Sequence, residues 1–180
     1  MLPTEHHDER VGDSIEAFLE GPPVRAGRPR RAKRPRPEVL RAVRKPIPMD
    51  TRTDWDAALR HEDARVTRYA RPAAVLVVRL RMSTPGTEDR YAGRVGALIR
   101  EHARDTDRVA RAAPDRFHVL MPETAEPEAT ALAERVRDAC ARLLPGQPGA
   151  ELEILAAVAS PGPGRSLHDA LRLARRGVAD

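Results

Sequence analysis

The 180-residue chain contains no asparagine, a single cysteine (Cys140) and few aromatic residues, which make up only 3% of it. One cysteine excludes an intramolecular disulfide, which fits a reducing compartment. With so few aromatic residues, any core must be aliphatic. Even the longest wholly apolar runs, such as Ala73 to Val78, are far too short to span a membrane, and the acidic N-terminus lacks the apolar segment of a signal peptide. We therefore expect a cytoplasmic protein without a transmembrane segment.

Charge is distributed unevenly along the chain, although the net charge is only +5. Residues 1–20 carry six acids against Arg10, and residues 21–45 carry ten bases against Glu38. The remaining residues are nearly neutral. The high isoelectric point therefore belongs to one short basic segment and is no property of the rest of the chain.

The first 50 residues have the composition of a disordered arm. Seven prolines lie between Pro22 and Pro48 and are interleaved with arginines. Like charges repel and proline removes backbone donors, so such a segment stays extended. We predict a disordered arm over 1–50, acidic over 1–20 and basic over 21–48, followed by one domain over 51–180.

The arm contains one apolar island, "DSIEAFLE", in which Ile15, Phe18 and Leu19 share a helical face. Alone it is too short to be a stable helix. Two interpretations stay open: a docking helix that folds on a partner protein, or an apolar accident in a tail.

The basic half of the arm would bind phosphates non-specifically and with strong salt dependence, which suggests nucleic acid. It has no aromatic residue for base stacking, and an acidic protein surface or an anionic membrane face would attract it equally. A merely solvated tail is the remaining alternative. The positive residues concerned are Arg28, Arg30, Arg31, Lys33, Arg34 and Arg36.

From residue 54 the sequence alternates between helical and strand-like segments. Helical spacing of apolar residues marks 54–71, 90–104, 126–144 and 166–176, whereas short apolar runs mark strands at 73–81, 107–112, 116–122 and 151–160. The order α-β-α-β-β-α-β-α, with one hairpin, predicts an α+β fold in which helices flank a mixed, mostly antiparallel central sheet.

Several short motifs in this order resemble those of the GGDEF domain, the diguanylate cyclase-type relative of the nucleotide cyclases. The family carries an Asp-x-Val-Ala-Arg strand, a Gly-Gly-Asp-Glu-Phe hairpin, a strand that ends in Leu-Pro and a Leu-Ala-Glu-Arg helix. Here the matching segments are Asp107–Arg111, Ala113–Phe117, Val119–Pro122 and Leu132–Arg135. The likeness extends over roughly Asp54 to Arg176 and implies the nucleotide-cyclase-like fold.

The signature hairpin itself departs from the family pattern. In place of Gly-Gly-Asp-Glu-Phe the chain has Ala113, Pro114, Asp115, Arg116 and Phe117. The alanine adds a Cβ and the proline fixes φ and deletes an N–H, where two glycines would let the backbone approach a nucleotide. Asp115 matches a metal-ligand position, but an arginine replaces the acid beside it.

The resemblance also implies an Asp-x-Asp metal-binding pattern on the first strand of the domain, and here Arg79 and Arg81 stand in its place. Mg²⁺ prefers carboxylate oxygens, and arginine repels it. The family reads guanine through an asparagine that this chain lacks. We therefore expect no cyclase activity, no catalytic or metal-binding residues and no cofactor.

A second feature of the family is an Arg-x-x-Asp site for cyclic di-GMP, five residues before the signature. Arg104 and Asp107 have this spacing, and Arg108 and Arg111 would add positive charge for phosphates. Arginine can pair with guanine O6 and N7, and aspartate can accept from the guanine N–H edge. The alternative is a surface ion pair in an arginine-rich chain, in which Asp107 is a structural residue at the start of a strand.

Together these features predict a non-catalytic regulatory or scaffolding protein. Its degenerate GGDEF-like domain and charged arm would mediate binding to another protein, with a homo- or hetero-dimer as one form. The alternatives are a cyclic di-GMP receptor and a nucleic-acid-associated protein that uses the basic arm.

Overall fold

The computed structural model describes residues 48–83, 86–142 and 152–179 of the chain. They form five strands and four helices, in the order β1 (Met49–Asp50), α1 (Arg52–Tyr69), β2 (Ala73–Met82), α2 (Asp89–His102), β3 (Arg108–Ala113), β4 (Arg116–Pro122), α3 (Glu126–Ala141), β5 (Leu152–Ala159) and α4 (Leu167–Gly177). None of the described helices is both long enough and apolar enough to cross a membrane.

The strands form one sheet in the order β1-β3-β4-β2-β5. The pairs β3–β4, β4–β2 and β2–β5 are antiparallel, and only the short β1 runs parallel to its neighbour β3. The predicted α+β architecture with a mixed, mostly antiparallel sheet is therefore confirmed. Strand β2 is an interior strand that pairs along most of its length on both sides, with β4 and β5.

Two helices cover each face of the sheet. On one face α2 and α3 pack against alternate residues of the central strands, such as Leu76 and Val119, and on the other α1 and α4 pack against Val77 and Leu120. As a result both faces of β4 are buried. This explains why β4 has a nearly continuous run of buried residues and no alternation of apolar and exposed polar residues.

Strand β1 was not predicted, and it corrects the prediction that the disordered arm extends to residue 50. Met49 pairs with Val109, and Asp50 pairs with Ala110. The carboxylate of Asp50 accepts two hydrogen bonds from Arg108, at 2.7 and 2.8 Å. Two residues are too few to show a period in the sequence. The rest of the predicted arm, residues 1–47, lies outside the described residues.

Helix α2 lies close to the sheet at Gly96. A Cβ at this position would come within 3.0 Å of Met49 Cε and of Phe117 Cε1. That is closer than side chains pack, so a larger residue would push α2 away from the hairpin strand that carries Phe117. The glycine therefore helps to fix the position of the hairpin relative to the helical layer.

Helix α1 has a side-chain cap at one end and a left-handed residue at the other. The hydroxyl of Thr51 accepts a hydrogen bond from the N–H of Asp54, which satisfies one unpaired donor of the first turn. At the C-terminus Ala70 adopts φ 51° and ψ 31°, and its N–H donates to the carbonyl of Val66. Glycine is the residue that usually occupies such a position, because an L-residue there is strained.

We predict that Ala70→Gly stabilises the domain by up to about 1 kcal/mol. The substitution relieves the strain of a Cβ in the left-handed region, and the greater freedom of glycine in the unfolded chain offsets part of the gain. Urea unfolding followed by circular dichroism measures the change. Ala57→Gly, on the exposed side of the same helix, is the matched control and should destabilise by about 1 kcal/mol. Destabilisation by both substitutions would contradict the prediction.

Candidate functional site

The hairpin formed by β3 and β4 is the element in which the sequence places the signature. Its tip, between Ala113 and Arg116, contains Pro114 and Asp115, and the pairing register shifts between Arg111 and Ala113. The carbonyl of Asp115 accepts a hydrogen bond from the N–H of Leu80, at 2.7 Å. The backbone of the hairpin tip is therefore hydrogen-bonded to strand β2.

The side chain of Asp115 is joined to the same strand by an ion pair. Arg79 Nε donates to Asp115 Oδ2 at 3.0 Å, and each side chain is only about a quarter exposed. A second nitrogen of Arg79 donates to the carbonyl of Val178, just after α4, at 3.2 Å. The structure thus brings together Asp115, the one acid of the hairpin tip, and Arg79, which lies on β2 at the position of the predicted Asp-x-Asp pattern.

Two further arginines surround this ion pair. Arg116 lies directly across from Arg79 in the β2–β4 register, and its buried Nε atom has no hydrogen-bond partner among the described residues. Arg81 lies two residues along β2 and pairs with Glu153 of β5, with Nε at 2.8 Å from the carboxylate. Three arginines, of which two are paired with carboxylates, therefore lie close together at this end of the sheet.

His118, Trp55 and Arg175, whose contact the sequence analysis did not predict, lie together beside the hairpin. His118, on β4, is almost fully buried and packs against Trp55 of α1, with ring centroids 5.6 Å apart. Its Nε2 lies 3.4 Å from Nε of Arg175 on α4. Burial, and then the charges of Arg175 and Arg116, lower the pKa of His118 to about 3. A histidine inside the apolar run "FHVLM" was the only signal of this contact.

At the predicted ligand site, Asp107 is buried and is not open to a ligand from solvent. The carboxylate of Asp107 accepts a hydrogen bond from the N–H of Arg104 at 2.7 Å, and Asp107 itself is 2% exposed. It closes the turn between α2 and β3, in which its own N–H donates to the carbonyl of Arg104. Of these two residues, Arg104 is exposed and Asp107 is buried.

The two additional arginines of that prediction are held by other carboxylates. Arg108 forms the two-bond pair with Asp50, which raises the pKa of its guanidinium. Arg111 pairs with Asp89 of α2 and donates to the carbonyl of Pro114 at 2.7 Å. They contribute to the packing of β1, β3 and the hairpin tip.

Other predicted residues lie outside the described part of the chain. These are the docking-helix residues Ile15, Phe18 and Leu19 and the basic-arm residues Arg28, Arg30, Arg31, Lys33, Arg34 and Arg36. Within the described ranges, no three His, Cys, Asp or Glu side chains come close enough together to hold a metal ion. Cys140 is buried on α3, and burial raises its pKa to about 11.

We predict that the free energy of unfolding falls as the pH drops from 6.5 towards 5.0. The pKa of His118 is about 3 in the folded chain against 6.5 for an ordinary histidine, so between these values the unfolded state binds the extra proton. The stabilisation is present above pH 6.5, and its loss approaches about 1.4 kcal/mol per pH unit below it. Urea unfolding across this range measures the slope.

His118→Gln is the control because the amide does not titrate. Most carboxylates titrate nearer pH 4, so the window from 6.5 to 5.0 reports mainly on histidine. The variant should lose most of the slope, and equal slopes in both proteins would show that His118 is not its source.

The comparisons with known proteins agree with this fold. The family model "Diguanylate cyclase, GGDEF domain" matches residues 87–177. Among solved structures, a DGC protein from Thermotoga maritima aligns with TM-score 0.61 and 16% identity, over 73% of this chain and 97% of that one. The active GGEEF domain of a diguanylate cyclase from Vibrio cholerae aligns with TM-score 0.59 and 20% identity, over 72% and 88%.

The GGDEF domain of FimX from Pseudomonas aeruginosa is similarly related, with TM-score 0.61 and 15% identity, over 72% of this chain and 86% of that one. At such identities a structural match shows the fold alone. No curated protein sequence matches the chain significantly. Since the family match spans just over half of the 180 residues and includes the hairpin, the chain belongs to the GGDEF domain family.

Proposed function

We propose that this GGDEF domain is non-catalytic and that the protein acts by binding, as a regulatory or scaffolding protein. The ion pair between Arg79 and Asp115 is the observation that carries the proposal. Metal-assisted phosphoryl transfer needs carboxylates that are free to hold Mg²⁺ and so neutralise the charge that develops on the phosphates. In this chain a guanidinium already neutralises the carboxylate of Asp115.

Electrostatic repulsion disfavours a metal ion that would displace Arg79 from Asp115. Mg²⁺ would have to replace a hydrogen-bonded, partly buried guanidinium and would then lie beside Arg79 and Arg116, which face each other across the strands. Like charges at such a distance repel, and partial burial strengthens the repulsion. Glu153 is not available as a replacement acid, since its carboxylate pairs with Arg81.

We predict that wild-type protein shows neither GTP turnover nor a rise in unfolding temperature when Mg²⁺ is added. The matched variant is Arg79→Asp, which removes the guanidinium and places two carboxylates side by side. Their repulsion is relieved by a divalent cation, so its unfolding temperature should rise with Mg²⁺ concentration. Differential scanning calorimetry and a phosphate-release assay measure the two effects. GTP turnover by the wild type above a protein-free blank would overturn the proposal.

The binding partner in this proposal is another protein. A related structure, the diguanylate cyclase SiaD from Pseudomonas aeruginosa in complex with its activator SiaC, shows that a protein of this fold engages a protein partner. In the present chain, the arm with Ile15, Phe18 and Leu19 is the segment that we propose for docking, and the domain itself would support a homo- or hetero-dimer. The cytoplasmic location stays a prediction.

We expect a pull-down from native lysate to recover a specific partner with the full chain and to lose it when residues 1–50 are removed. Phe18→Asp in the full chain should have the same effect, because it places a charge on the apolar face of the docking segment. Arg10→Ala is the control in the same arm. A partner that binds the shortened chain equally well would assign the interaction to the domain and contradict docking through the arm.

Cyclic di-GMP is an alternative ligand, since the GGDEF domain of DgcB from Caulobacter crescentus was solved in complex with it. The geometry of Asp107 argues for a structural role in this chain, because its carboxylate is buried and closes a turn. A binding heat for cyclic di-GMP that disappears in Arg104→Ala would favour the receptor function. The nucleic-acid alternative depends on the arm and predicts salt-dependent DNA binding that is lost when residues 1–48 are deleted.

A further inference from the structure

The two edges of the sheet are built differently. One edge is β1, a strand of only two residues, and the other is β5, which pairs with β2 alone among the described residues. Seven of the eight residues of β5 are apolar, yet seven of the eight are at least partly exposed. A long apolar edge strand is a template for pairing with a further strand. We call the outer side of Leu152–Ala159 the β5 edge.

The β5 edge has none of the features by which proteins usually prevent such pairing. Strand β5 contains no proline, lysine or arginine, and its register with β2 runs without a bulge. Its one charged residue, Glu153, pairs with Arg81 of β2. The charge of Glu153 is thereby compensated within the domain, so the edge presents a nearly uncharged surface to a second strand.

The hydrogen bonds of β2 show which backbone groups of β5 point outwards. The N–H of Leu80 donates to Asp115 on the hairpin side, so the residue before it on β2 directs its N–H and C=O to β5, where it opposes Leu155. The even-numbered residues of β5, such as Ala156, therefore direct these groups away from β2. In agreement, a terminal nitrogen of Arg137 on α3 lies 3.5 Å from the carbonyl of Ala156. A contact of this length is weak, so a second strand can displace it.

Helix α4 adds an exposed apolar side chain next to this edge. Leu173 is 39% exposed and, with Tyr69, is one of the two large hydrophobic residues that are exposed in the described ranges. It shares a face of α4 with Gly177, four residues further on. A Cβ at Gly177 would come within 2.8 Å of Ala157 Cβ, which shows that this face lies against β5. Leu173 therefore lies on the side of α4 that is next to the β5 edge.

We propose that the β5 edge pairs with the β5 edge of a second copy of this chain, antiparallel about a twofold axis, so that the two sheets become one. This inference rests on the proposed function, for which it names the surface of the dimer. Because the axis is perpendicular to the sheet, the two α4 helices lie on the same side of the joined sheet, with Leu173 of each copy next to the axis. The pairing forms about six to eight backbone hydrogen bonds. The opposite edge is the short β1, so assembly stops at a dimer.

The sequence of β5 is complementary to itself in this arrangement. In the two twofold registers that pair the most residues, Glu153 of one copy opposes Ala157 or Ala159 of the other, so the two carboxylates never face each other. In the first of these registers Ile154 opposes Ala156, and a large side chain thus meets a small one. The strand matches its own copy in charge and in side-chain size, which favours a second copy of the chain as the occupant of the edge.

Sedimentation velocity of the full chain over a range of concentrations tests the inference. We expect a reversible equilibrium between monomer and dimer that persists at high salt, because the β5 edge is nearly uncharged. Leu173→Asp should weaken dimerisation by about tenfold or more, since it places a charge where the dimer buries an apolar side chain. Tyr69→Asp, at the other exposed large hydrophobic residue, is the matched control and should dimerise like the wild type.

Ala156→Pro tests the backbone pairing itself. The proline removes an N–H that points away from β2, so the domain keeps its own hydrogen bonds while the dimer loses a donor from each copy. Circular dichroism shows that the variants fold, and Leu173→Asp, on the surface of a helix, decides the question if the proline variant does not. A wild-type chain that stays monomeric, or dimerisation that neither variant weakens, overturns the inference. These outcomes leave the proposed function intact, which the GTP assay and the pull-down test separately.

Discussion

Strand β2 is buried on both of its faces over its first six residues, Ala73 to Val78, and this constraint governs the rest of the structure. A strand without a solvent face needs helices on both sides, which α1 and α4 provide on one side and α2 and α3 on the other. Over these six residues β2 also contains no charged side chain, and the first one is Arg79, which is only partly buried. The first charged position of the strand therefore lies beside the hairpin tip, where Asp115 pairs with it.

The two-sided burial also explains which parts of the fold were predictable. Long segments with a strong helical period or an unbroken apolar run gave the order of elements and the fold class. Strand β1 was missed because two residues carry no period, and because its stability depends on β3 and on the pair between Asp50 and Arg108, which are 58 residues apart. Such a contact can be located only when the register of the sheet is known, and local sequence patterns do not show that register.

The same limit applies to the candidate site. The motif comparison identified Arg79 as a departure from the family pattern and Asp115 as a residue that the pattern keeps, yet their ion pair follows only from the way the hairpin tip lies on β2. Asp107 has the spacing of a ligand-binding residue, but its burial shows a turn-closing role. His118 looked like one more scattered histidine until the fold placed it against Trp55 and Arg175.

The pairing of β1 with β3 has a consequence for the first 47 residues, whatever they bind. It fixes the point at which they join the domain, at the edge of the sheet on the side of β3. A partner that binds these residues would be linked covalently to the domain at that edge, so its local concentration there would no longer depend only on its concentration in bulk. A weak contact with the domain can then become an appreciable one.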